Sequence, residues 1–306
     1  MTKPKEKPLL SVKWDHKSRM FTMIFSRKEE LLELYNAVSG KHYTNPEALE
    51  INTLENAIYM SMSNDLSFII DSRLSLYEHQ STYCPNLPIR FFQYLSDIYS
   101  PMIKDKNIYG TKKIMLPAPH FIVFYNGLQQ REEIEVLKLS DLYEVQEEEV
   151  HLELKVVMIN INRGNNQKLM DTCRTLKDYA EFVYGMREYA KEIPIEVAAE
   201  RAITECIREG ILKEFLEQNR AEAMAMSIYE YDEEKHIRME REDAYADGHK
   251  DGHKAGFEDG LVTGALDGQN RMLTLVQKMM EDGMAEKIPQ LTTQDFLEEM
   301  LKRYEL

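Results

Sequence analysis

Cysteine is scarce. Cys84, Cys173 and Cys206 are the only three in 306 residues, they lie far apart, and no C-x-x-C or zinc-ligand spacing joins them. That excludes a disulfide framework and a cysteine-based zinc module. Free thiols in a reducing cytoplasm are the expectation, each read as a small buried apolar residue. Long apolar runs are also missing: nothing approaches the roughly 18 residues of a membrane span. The opening MTKPKEKPLL is charged and lacks the apolar segment of a signal peptide. Positive charge is in deficit as well, with 38 Lys and Arg against 53 Asp and Glu, a net charge of −15. A uniform deficit would argue against nucleic acid as a partner. The deficit is not uniform. Residues 1–130 carry 15 basic and 13 acidic side chains, so the acidity belongs to residues 131–306. The first part is therefore compatible with contact to phosphate.

What is present is an order of elements. Residues 1–15 read as a mobile tail. Ser26 and Glu29 have capping-box spacing ahead of an apolar stripe through Leu31, Leu34 and Val38, which predicts a helix ending at Gly40. Residues 41–51 read as a loop and 54–62 as a short helix or turn. Pro85 and Pro88 bracket the start of a helix reaching about Met102. PHFIVFY (119–125) reads as a buried strand stopping at Asn126-Gly127, and HLELKVVMINI (151–161) as a second central strand. Between them, 137–141 is a short strand or a turn. From Asn166 onward the patterns are helical: 168–191, 195–226 with an interruption at Gly210, and amphipathic segments at 272–282 and 293–306. Glycines at 248, 252, 256, 260, 264 and 268 form the one clear repeat. Each costs a helix about 1 kcal/mol relative to Ala. The repeat is either a helix formed on association, with bare backbone for close approach, or a charged linker. His249 and His253 stand at i, i+4 within it with no third metal ligand evident. The expected fold class is α/β: an α/β core over 16–192, a helical extension over 193–245, the glycine segment over 246–270 and a helical tail over 271–306.

The stretch NDLSFIIDSRLSLYEHQSTYCPNLPIR (64–90) carries the chemistry. It reads as two strands, 65–70 and 73–80, around an Asp71-Ser72 turn. A two-residue turn places Ser67 across from Leu76, Ile69 across from Leu74 and Asp65 across from Glu78. Gln80 shares their face, and His79 points the other way. Like charges placed opposite each other destabilise a sheet. A cation between them removes that cost. Solvated acids at the end of a hairpin are the competing reading.

The chain resembles the PD-(D/E)XK nuclease superfamily, and more closely the Rpn-type recombination-promoting nucleases, also called PD-(D/E)XK nuclease family transposases. The resemblance rests on NDLSF (64–68), LYEHQST (76–82) with PNLPIR (85–90), FIVFYNG (121–127), NINRGNN (160–166), CIREGILKEFL (206–216) and the glycine tail. It implies a restriction-endonuclease-like core of mixed sheet flanked by helices, and metal-dependent endonuclease activity on DNA. It makes Asp65 and Glu78 the metal ligands and puts Gln80 where the superfamily usually has Lys. Carboxylate oxygens suit Mg²⁺, with Mn²⁺ or Ca²⁺ as substitutes. Gln hydrogen-bonds water or phosphate but brings no charge. Glu30 and Glu33 are candidates for an acid contributed by the first helix, Asp71 is a turn former, and Arg90 and Gln93 are candidate phosphate contacts on the helix after the site. Self-association through the C-terminal helices, and a catalytically weak nuclease-fold scaffold working through that association, complete the expectations.

Overall fold

The computed structural model describes residues 20–51 and 65–306, several side chains between 233 and 258 excepted. The expected N-terminal tail, the short helix or turn at 54–62, and Asn64 lie outside the described residues. The chain divides into two compact units, one ending at Lys235 and one beginning at His236.

The hairpin organises the first unit. Strands β2 (Leu66–Ile70) and β3 (Arg73–Gln80) are joined by Asp71 and Ser72, whose φ values are +49° and +58°. Positive φ at both central residues is the type I′ geometry that matches strand twist. Asp71 is fixed there by Arg73 Nη1 (2.5 Å) and the Tyr43 hydroxyl (3.0 Å). These bonds, that from Arg73 foremost, hold its carboxyl below the usual range. The turn sets the register: Ser67 pairs with Leu76, Ile69 with Leu74 and Leu66 with Tyr77. The same register carried one residue further puts Asp65 across from Glu78.

Around the hairpin stands a six-stranded mixed sheet in the order β1-β2-β3-β4-β6-β5, with β1 (Glu50–Ile51), β4 (Ala118–Tyr125), β5 (Ile134–Lys138) and β6 (Lys155–Asn160). Strands β3, β4 and β6 run parallel, and the flanking pairings are antiparallel. Gln80 registers with Tyr125 and Tyr125 with Asn160, so three carboxyl ends finish in one row. Open α/β sheets bind ligands outside that end.

Alternation along the strands serves two cores. Leu74, Leu76, Phe121, Val123, Val156 and Met158 pack under helix α3 (Leu87–Ile103) through Phe91, Tyr94 and Ile98. Phe68, Tyr77, Phe124, Ile159 and Ile161 face the remaining helices. These are α1 (Met20–Phe25), α2 (Lys28–Ser39), α4 (Gln167–Thr172), α5 (Arg174–Tyr189), α6 (Ile195–Glu209) and α7 (Lys213–Gln218). Helix α8 (Arg220–Glu281) begins in this core with Ala223 and ends in the second unit. There Leu275 and Met279 meet Met300 of α9 (Gln294–Arg303).

Several expectations change. Ser26 caps nothing: its hydroxyl donates to the Met23 carbonyl, and α2 starts at Lys28 after the unforeseen helix α1. MFTMIF is apolar except at Thr22 and is too short to show a helical period. The expected strand 151–161 shortens to 155–160. The expected helix 168–191 breaks at Cys173, because Glu33 accepts from the Arg174 N–H (2.7 Å) and the Thr175 hydroxyl (2.6 Å), starting α5 afresh. Helices α6 and α7, placed by sequence in an extension after 192, bury Ala199, Ile203, Phe215 and Leu216 in the common core. The glycine repeat lies within α8, and a Cβ built on any of its six glycines meets nothing within 4 Å. His249 and His253 are exposed on the same helix.

Candidate functional site

At the carboxyl end of β3 the chain buries a carboxylate that an apolar strand does not need. Glu78 is 1% exposed. Its place follows from the turn: six residues after Ser72 it falls on the α3 face, beyond Leu74 and Leu76. A carboxylate out of water costs several kcal/mol unless it is paired and hydrogen-bonded, and Arg90, Gln80 and Tyr94 offset part of this cost. Arg90 Nη2 lies 3.3 Å from Oε1 and 3.2 Å from Oε2. Gln80 Nε2 donates to Oε2 at 3.2 Å, and the nearby Tyr94 hydroxyl favours the charged carboxyl. Asp65 opposes the charge. Burial outweighs the attraction of Arg90, the repulsion of Asp65 adds to it, and the Glu78 carboxyl is pushed up to about 7.

Asp65 is partly buried, and its Oδ2 accepts from the His79 N–H at 2.7 Å. A charge-assisted bond of this length fixes the carboxylate against the strand that carries Glu78. His79 itself faces the other core, as its position in the strand requires. Its Nε2 lies 3.0 Å from the Tyr179 hydroxyl and its ring stacks on Phe21. Imidazole is thereby kept away from the acid pair.

The structure thus brings Asp65, Glu78, Gln80 and Arg90 together. Tyr94 joins them: its hydroxyl accepts from Arg90 Nε (3.3 Å) and Nη2 (3.1 Å). Sequence reasoning missed Tyr94 and the Arg90–Glu78 pair, although the i, i+4 spacing of Arg90 and Tyr94 on one helix was readable. Gln93 is half-buried one helical step away and takes no part in this cluster. Of the first-helix acids, Glu33 is committed to starting α5. Glu30 pairs with Arg27 at 3.3 Å, and its Oε2 is buried with no hydrogen-bond partner among the described residues.

The donor set fits a hard divalent cation. Two carboxylates that repel each other, with an amide oxygen at i+2, supply oxygen ligands and a charge to neutralise. Among the described residues no three His, Cys, Asp or Glu side chains converge. A cation held by Asp65 and Glu78 would fill its remaining positions with water or substrate oxygens, as Mg²⁺ ordinarily does. No helix among the described residues is long and apolar enough to cross a membrane. Comparison with family models, curated proteins and solved structures returns no match.

Proposed function

We propose that the chain is a Mg²⁺-dependent DNA endonuclease that hydrolyses phosphodiester bonds in the cytoplasm, with Asp65 and Glu78 as metal ligands and Gln80 as the residue that orients water or phosphate. The observation that carries this reading is the buried Glu78 facing Asp65 at the carboxyl end of β3, with Gln80 on the same face. The resemblance of LYEHQST and PNLPIR to the Rpn-type nucleases supports it and suggests a link to recombination or mobile DNA. A cation bound here supplies charge neutralisation at the phosphate and lowers the pKa of a bound water.

The chain's own residues do the rest. The His79 N–H holds Asp65 in place. Gln80 commits its amide nitrogen to Glu78, which leaves the amide oxygen to align a water. Arg90 keeps a guanidinium at the acid pair, suited by its fork geometry to a phosphate oxygen once Glu78 turns to another partner. Plasmid nicking with Mg²⁺ tests the assignment: the wild type nicks, and Asp65→Ala and Glu78→Ala lose nicking by at least about a hundredfold. Undiminished cleavage by both variants sinks it.

One observation favours a second reading, a nuclease-fold scaffold that assembles through its tail. Six exposed glycines at intervals of four have no neighbour among the described residues that requires them. In this reading α8 brings two copies together along the bare backbone. Deletion of residues 246–306 then converts an oligomer to a monomer by light scattering, and an unchanged mass removes the tail as the assembly element.

A further inference from the structure

We propose that a polar cavity at the carboxyl ends of β4 and β6 is a second DNA subsite, which holds a sugar–phosphate segment of the strand whose scissile bond lies at Asp65 and Glu78. The identity of its ligand rests on the nuclease reading; the cavity and its charges do not.

The cavity has a volume of about 400 Å³. Its walls are the loop after β4 from Asn126 to Arg131, the residues that follow β6, and one side of α5. Four cations line it, Arg131, Arg163, Arg187 and Lys191, against a single acid, Glu188. This is a concentration of positive charge in a chain whose later part is strongly acidic. Lys191 pairs with Glu188 at 2.6 Å, Arg163 with Glu181 at 3.4 Å and Arg131 with Glu135 at 3.7 Å. The first two pairs are largely solvent-exposed, and exposed pairs are weak enough to exchange for a phosphate. Arg187 donates to the backbone carbonyl of Asn126.

The remaining lining fits a nucleotide better than a bare anion. Tyr184 is 39% exposed beneath the Arg163 guanidinium, 4.7 Å from ring centre to cation. Aromatic and guanidinium planes are the surfaces on which bases of a single strand stack. Asn160, Asn162 and Asn165 add amide groups of the kind that contact phosphate and sugar. Two lining residues also carry buried polar atoms with no hydrogen-bond partner among the described residues, Asn126 Oδ1 and Arg131 Nε. Such atoms are rare in folded proteins.

The cavity is tied to the acid pair by backbone. The Asn126 N–H donates to the Gln80 carbonyl at 3.1 Å. Gly127, in the cavity wall, lies so close to the residue after Gln80 that an added Cβ would sit 2.2 Å from the Ser81 carbonyl oxygen. The acids lie toward the α3 face of this sheet end and α5 packs on the other, so a strand that reaches both crosses the carboxyl ends of β3 and β4.

The test is fluorescence anisotropy of a short labelled single-stranded DNA with the full chain, in chelator, across a salt titration. Arg163→Glu with Lys191→Glu is expected to weaken binding by about tenfold or more, and to lower the slope of log affinity against log salt by about 1 to 2. Arg163→Lys with Lys191→Arg should retain both. Lys112→Glu with Lys113→Glu, an equal charge change in the exposed loop before β4, should leave affinity near the wild-type value. Equal affinity and slope in the first variant overturns the subsite, and so does equal weakening by the two charge reversals. Competition by a deoxynucleoside monophosphate as effective as the unlabelled strand would also overturn it, by making the ligand a free nucleotide. Binding in chelator and plasmid nicking with Mg²⁺ are read separately: a chain that binds through the cavity but never nicks keeps the subsite and loses the nuclease, whereas one that nicks with binding unmoved by the charge reversal does the reverse.

Discussion

The end of the sheet and the middle of α8 use glycine in opposite ways. Gly127 stands where backbone approaches backbone, and a methyl group would enter the Ser81 carbonyl and the Tyr125 ring. Gly256, like the other glycines of its repeat, stands in open space on an exposed helix, where a methyl group meets nothing. The first glycine is explained by its own chain and the second is not. A residue type therefore carries no meaning apart from its neighbours: the same atom deleted from Cα is a packing requirement in one place and an unexplained cost in the other.

The largest effect that would break this contrast is at the sheet end. Gly127→Ala should lose about 3 kcal/mol by chemical denaturation, because the clash is with backbone that cannot swing aside. A neutral result would remove the close approach that joins β3 to β4.

Glu78 gives an effect of similar size that depends on pH. Its carboxyl sits near 7 in the folded chain, against about 4.3 when unfolded. The neutral form is thus favoured by folding. The stability this contributes is fully present below the unfolded value and is lost as pH rises through 7. In chelator, Glu78→Gln should therefore gain on the wild type between pH 5 and pH 8 by about 3 kcal/mol. A difference that stays constant across that window would show that burial does not govern this group.

A smaller loss, about 1 kcal/mol, is expected for Glu33→Ala, which strips two partners from the start of α5. The smallest effect has the opposite sign. Gly256→Ala should raise helical circular dichroism and stabilise α8 by up to about 1 kcal/mol. If it instead lowers the melting temperature or dissociates an oligomer, the open space is filled by a second copy, and the contrast with Gly127 disappears.

Where the sequence was legible, the signal was local. Asp71-Ser72 set a two-residue turn, the turn set the pairing, and the pairing put Asp65 and Glu78 on one face with His79 on the other. The buried strand before Asn126-Gly127 and the helix after Pro88 read from composition in the same way. What could not be read was long in sequence. Glu33 starts a helix 141 residues away, and no pattern within 168–191 announces the break at Cys173. The place of Arg90 after the site makes it a candidate phosphate contact; its approach to Glu78 depends on how α3 lies on the sheet. The cavity likewise joins residues from three elements, and none of its cations forms a run in the sequence.

The pair of Arg90 and Glu78 also bears on timing. Many metal sites assemble only as the ion arrives, so that folding and loading are one event. Here a guanidinium from the chain already lies against the buried acid. On the proposed chemistry, the fold can therefore form before a cation is bound. Catalytic competence, on the proposed chemistry, becomes a later and separate decision, taken when an ion competes successfully with an arginine for the same carboxylate.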